Sequence, residues 1–311
     1  MAVRNSRVWR HPNQDGRLSM AISVDRNYPL GIAMLLASGF FLGTSGLALR
    51  SVEAASGWQI LFFRSASFVL LVFLVLLIRR KGRVTAAFRH LGWDDLLLAL
   101  CLGLGFVAYV FALLHTTVAN ALFVFSSAPF FAALLGWIVL RERVDWTTWM
   151  TIAASVLGLA IMVAGGVSRG HYVGNVIALW IPISYAISVI LVRRSSAVDM
   201  LPALCLAGVV ATGLSAFFAE DLLLTIRDLG IAIYLGVFQL GAGFILLILG
   251  ARYVVAAQAG ILALVEPVFA SVLVWVAFSE TPAGSTLLGG GIIFLAVILH
   301  SIVTITRTRA A

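Results

Sequence analysis

Charge is what this sequence has least of. Asp, Glu, Lys and Arg make up 11% of its 311 residues, while 62% are hydrophobic. A soluble domain carries about 25% charged residues, so this chain has too much apolar surface for a water-facing globule. The composition is that of an integral membrane protein. Cysteine is nearly absent too. Cys101 and Cys205 both fall inside apolar runs, which excludes a disulfide framework and reads as two buried thiols. The five scattered histidines form no metal-ligand cluster with them. A phosphate-binding G-x-x-x-x-G-K-[ST] loop, a dinucleotide fingerprint and a zinc motif are all missing. No metal and no cofactor is therefore expected, and nothing on this chain would couple it directly to ATP. Residues 1–29 hold five arginines but no apolar core of signal-peptide type. They are expected to form a cytoplasmic N-terminal tail, with 305–311 as its C-terminal counterpart. Neither end carries a lipidation motif.

What is present in abundance is long apolar runs. Crossing the roughly 30 Å hydrocarbon core takes about 20 apolar residues in a helix. Only helices satisfy their own backbone in lipid when a sheet cannot close. The sequence predicts ten such helices, over 30–49, 58–78, 93–114, 119–140, 146–164, 173–192, 200–218, 230–250, 255–278 and 284–304. The basic residues fix their direction. Seventeen of the 21 Lys and Arg fall on one side, in both tails and in the even-to-odd connections. Arg50, Arg169 and Arg227 fall on the other, and Arg64 lies inside the second span. Basic residues collect on the cytoplasmic side, which places both termini there. The +8 net charge is thereby a topology signal, and no nucleic-acid partner is expected. The partners are the lipid bilayer and a small-molecule substrate. A monomer is the simplest expectation, with a dimer left open.

The chain also repeats itself. Shifted by 138 residues, "VFSSAPFFAALLGWIVLRE" (124–142) falls on "ALVEPVFASVLVWVAFSE" (263–280). Pro129 then meets Pro267, Phe131 meets Phe269, Trp137 meets Trp275, Glu142 meets Glu280 and Asn120 meets Gln258. A weaker match joins the first span to the sixth, with Gly31 on Gly174 and Arg50 on Arg193. The halves are 30–164 and 173–304. Each has five spans, an odd number, so they cross the membrane in opposite directions. Inverted repeats of this kind are a transporter plan. The expected fold is thus all-α integral membrane, with ten transmembrane helices in two inverted five-helix repeats around a central cavity.

The two matched stretches resemble the signature of the drug/metabolite transporter superfamily, EamA family, over about residues 29–304. Each half ends in a Pro-containing helix followed by a Glu at the membrane edge. A looser similarity points to the branch that exports aromatic and other neutral amino acids. The resemblance implies export of such amino acids or similar metabolites by alternating access, in the cell inner membrane, with helices 1, 3, 4, 6, 8 and 9 lining the cavity. Nucleotide-sugar or drug transport within the superfamily is the alternative. A different alternative, an intramembrane serine protease, rests on "GTSG" (43–46) and needs a histidine beside Ser45. No histidine falls at that depth, and Ser45 between Gly43 and Gly46 reads better as a close-packing surface.

Within the spans, Pro129, Pro182 and Pro267 lie near midplane depth. They are expected to act as hinges that free backbone carbonyls for a cavity. Glu266 is the one carboxylate deep in a span. It is expected to bind a substrate ammonium, to carry a coupling proton, or to pair with Arg64 as a structural lock. Further candidates for the cavity wall are Ser38, Tyr109, Asn120, Phe125, Ser126, Trp180, Ser184, Tyr185, Gln239 and Gln258. They combine a few polar groups with apolar walls, as ligand pockets do. Taken singly, each is as readily a helix-packing residue.

Overall fold

The structure is a computed structural model. It describes residues 28–81, 88–89, 91–141, 145–167, 172–194, 200–251, 253–254 and 262–310. Every regular element among them is a helix. In chain order these are α1 (Tyr28–Arg50), α2 (Gly57–Arg79), α3 (Trp93–His115), α4 (Val118–Phe125), α5 (Ala128–Leu140), α6 (Trp146–Val167), α7 (Tyr172–Arg194), α8 (Met200–Phe218), α9 (Ile226–Tyr234), a π-helical segment (Leu235–Ala242), α10 (Gly243–Gly250), α11 (Val265–Phe278) and α12 (Gly284–Ala310). Taking α4 with α5, and α9 with the π segment and α10, gives ten crossings. Eight are long and apolar enough to span a membrane, and α11 and the apolar part of α12 are shorter.

Local chemistry sets several starts. Ser56 caps α2 in a reciprocal box with Gln59, which satisfies two orphan donors at once. Thr117 caps α4 through the Asn120 amide, and Thr225 caps α9 through the Asp228 amide. That last cap starts the eighth crossing at Ile226 rather than near residue 230.

The fourth crossing is not one kinked helix. α4 ends at Phe125, two turn residues follow, and α5 restarts with Pro129 in its first turn. Pro267 likewise sits in the first turn of α11, behind the turn residue Leu264. Proline has no N–H to lose there and its fixed φ suits a helix start. Pro129 and Pro267 are thus helix initiators rather than interior hinges. Pro182 does lie inside a continuous helix, α7.

Inverted symmetry is visible down to single residues. α5 and α11 both end in a left-handed residue, Arg141 at φ 54° and Ser279 at φ 56°, positions related by the repeat shift. Gly174 at the start of α7 packs on the His115–Thr116 backbone. Its repeat mate Gly31, at the start of α1, packs on Tyr253 and Val254, the mates of His115 and Thr116. A side chain at either glycine would collide with the turn it covers. Helix pairing follows the same rule: α3 packs on α7 as α1 packs on α10, α5 on α7 as α11 on α1, and α3 on α8 as the π segment on α2. α6 and α12 cross at Gly158 and Gly289, each glycine lying against the other's carbonyl oxygen. Gly290 lies on the Phe123 ring, and nothing lies against Gly291.

Candidate functional site

Two polar layers cross the bundle between the halves. The first joins the helix ends on the face opposite the basic tails. Arg50 ends α1, and its Nε donates to Glu280 Oε2 at 2.8 Å. The Arg50 Nη2 donates to the Thr116 carbonyl at 2.9 Å. The other Glu280 oxygen accepts the Val118 amide at 2.8 Å, at the start of α4, where unpaired N–H groups and the helix dipole favour an anion. Deeper in, Thr116 Oγ1 donates to Asn175 Oδ1 at 2.8 Å. The Asn120 amide donates to both Thr116 and Asn175, and Thr286 donates weakly to Asn120 at 3.4 Å. This network ties α1, α4, α7, α11 and α12 together at one end. Of it, only Asn120 was expected from sequence. The match of Glu142 with Glu280 and of Arg50 with Arg193 was a usable signal, but it pointed to the repeat rather than to a bond. Glu142 and the Arg193 side chain lie outside the described residues.

The second layer is buried in the membrane interior. Arg64 is 1% exposed. Its Nη2 lies 3.5 Å from Gln239 Oε1, and Gln239 in turn donates to the Leu42 carbonyl at 3.4 Å. The guanidinium carbon is 5.6 Å from the Tyr109 ring centre and 6.0 Å from that of Phe106. The Tyr109 hydroxyl shares a 2.7 Å hydrogen bond with Ser45. Gln239 belongs to the π segment, and Gly236 in that segment lies against the Arg64 carbonyl. π-helical turns are rare and recur at functional sites. Ser38 donates to the Gly243 carbonyl where the segment ends, at 2.8 Å.

Glu266 is buried as well, in the first turn of α11. It does not pair with Arg64: among the described residues the ion pairs are Arg50–Glu280 and Arg227–Glu53. Glu266 packs on α1, its backbone against Gly39 and Gly43, while Arg64 turns to Gln239 of the π segment, so the two side chains face different neighbours.

The remaining candidates divide. Phe125 and Ser126 lie at the break in the fourth crossing, with the Tyr185 ring 6.1 Å from Phe125. Ser126 donates back to the Leu122 carbonyl at 3.0 Å. Ser184 is buried, donates to Ile181 and faces Gly105 of α3, so it serves helix packing. The Trp180 indole N–H is buried without a hydrogen-bond partner among the described residues. Gln258 lies outside the described residues. Ser45 is held by a tyrosine rather than a histidine, which leaves no hydrolytic dyad. A cavity of about 600 Å³ opens beside the α8–α9 connection, walled by Trp58, Gln59, Phe218, Asp221 and Asp228 among others. Asp228 is committed to structure there, accepting the amides of Glu53, Ala54 and Ala55 at 3.1 Å each. Among the described residues no group of His, Cys, Asp and Glu could hold a metal.

Ten apolar crossings in inverted halves, helices broken at matched positions and charged groups held between the halves define a membrane transporter of small molecules. The chain belongs to the EamA-like transporter family, whose sequence profile matches it twice, over residues 29–164 and 172–302. Its members are transporters and not enzymes. Among characterised proteins it is 29% identical to the pseudopaline exporter CntI of Pseudomonas aeruginosa strain UCBPP-PA14, over 86% of this chain and 94% of that one. The same exporter from strain PAO1 is 28% identical over the same shares. A solved crystal structure of a protein superposes with a TM-score of 0.62 at 18% identity, covering 88% of this chain and 97% of the other. That likeness concerns the fold alone.

Proposed function

We propose that this protein exports amino acids, neutral or aromatic, or closely similar small metabolites, by alternating access in the cell inner membrane with both termini cytoplasmic. The observation that carries the reading is the Arg50–Glu280 network, which ties helix ends of both halves together on the face away from the basic tails. By the positive-inside rule that face is the outer one. A bundle of inverted repeats latched on its outer face is poised to load from the cytoplasm. Two relatives that are exporters support the direction. The Phe125 and Tyr185 rings, in contact beside the break between α4 and α5, favour an aromatic or apolar side chain on the solute.

The test is flux in proteoliposomes against a solute panel of amino acids, nucleotide sugars and cationic drugs, with and without a pH gradient. Counterflow confined to amino acids and close derivatives is expected. Counterflow of a nucleotide sugar or a cationic drug in place of amino acids would overturn the assignment.

A further inference from the structure

We infer that Arg64 is an anchor for a carboxylate on the transported solute. The proposal deepens the export reading and rests on it for the identity of the solute. A guanidinium stays charged in proteins, and placing one inside a membrane costs several kcal/mol unless something answers the charge. Arg64 is 1% exposed, and no carboxylate of the protein lies within ion-pairing distance among the described residues. Among the described residues its Nη2 reaches only the neutral Gln239, at 3.5 Å. Its Nη1 is buried with no hydrogen-bond partner among the described residues. A planar fork with one arm free is the donor arrangement that a carboxylate completes in two parallel bonds.

The surroundings fit a loading site rather than a packing residue. Arg64 meets the π segment through Gln239 and Gly236. Tyr109 stands beside it, its ring centre 5.6 Å from the guanidinium carbon and its hydroxyl bonded to Ser45 of α1. A solute with its carboxylate on Arg64 lies beside the Tyr109–Ser45 hydroxyl pair, whose oxygens can accept from an amino group.

The experiment compares L-phenylalanine, L-leucine and L-alanine with their methyl esters and their decarboxylated amines. Binding is read as thermal stabilisation of the purified full-length protein in detergent, and transport as counterflow in proteoliposomes. At least one free acid should stabilise the wild-type protein, and its ester and amine should bind about tenfold or more weakly, as expected for loss of a charge-assisted pair. Arg64→Gln should abolish the preference for the acid. Arg64→Lys, which keeps the charge without the fork, should retain part of it. Equal stabilisation by acid, ester and amine would overturn the proposal, as would no stabilisation by any acid. An acid preference surviving in a folded Arg64→Gln protein would do so too. Should Arg64→Gln fail to fold, the ligand series on the wild type still decides. Binding of the acid without any flux would sink the export reading and leave the anchor standing.

Discussion

At the scale of the residue, the pair Glu266–Pro267 poses the sharpest question, because a carboxylate and a helix breaker share the middle of an apolar run. The answer is that they do not interrupt a helix but begin one. Proline belongs in a first turn, an acidic residue there meets the positive end of the dipole, and α11 starts at Val265. The sequence pattern for a helix start was therefore legible, yet the continuous apolar run hid it. Pairing with Arg64 looked attractive from depth alone. Depth says nothing of angular position, which is why that lock did not appear. In a double-mutant cycle, Glu266→Gln and Arg64→Gln should each lower stability in detergent. Their coupling should stay below about 1 kcal/mol, as for groups not in contact. A coupling of about 3–5 kcal/mol, the scale of a broken buried pair, would restore the lock.

At the scale of the element, the two halves carry helix breaks at matched positions, before Pro129 and before Pro267. α4 and α5 are separate helices joined at Ser126–Ser127, and those hydroxyls bond back to the Leu122 and Val124 carbonyls. Pro129 keeps α5 from drawing its N–H ladder from α4, and Pro267 does the same for α11. Replacing both by alanine restores two donors and lets each crossing run on as one helix. Since neither proline is forced into an interior turn, the fold should survive with a stability change of about 1 kcal/mol or less. Counterflow should fall severalfold, or the solute order should change. Unaltered flux and solute preference in well-folded Pro129→Ala/Pro267→Ala protein would leave the breaks without a role. The two prolines were legible from the repeat, as was the match of Gly31 with Gly174, but not the turns those glycines cover. The π segment was not: Leu235–Ala242 has the composition of any apolar helix. Its extra residue per turn is set by packing on α2, where Gly236 and Gly241 admit Arg64, Ser67 and Leu71.

At the scale of the whole molecule, the ten crossings and their opposed halves were legible because period, charge bias and an internal repeat all agree. The latch was not, because it joins residues 230 apart in sequence, Arg50 and Glu280. Its strength can be bounded. The two side chains are 24% and 19% exposed, so their attraction is partly screened, and a charge-assisted bond of about 1.5–3 kcal/mol is an upper range. Since Glu280 also holds the Val118 amide and Arg50 the Thr116 carbonyl, removing either charge frees more than one contact. A loss of about 1.4 kcal/mol is a tenfold shift in population. Ser45 lies just beneath the latch and is 0% exposed, which makes it a reporter. In a protein with Cys101 and Cys205 replaced by alanine and Ser45→Cys introduced, an impermeant thiol reagent added outside intact cells should label slowly. Adding Glu280→Gln should speed labelling about tenfold, and Arg50→Lys, which keeps the charge but not the fork, by less. A tag after Ala311 should stay protected in the same cells. Labelling unchanged by Glu280→Gln would show that the network does not hold that face shut, and an accessible C-terminal tag would invert the orientation on which outward transport depends.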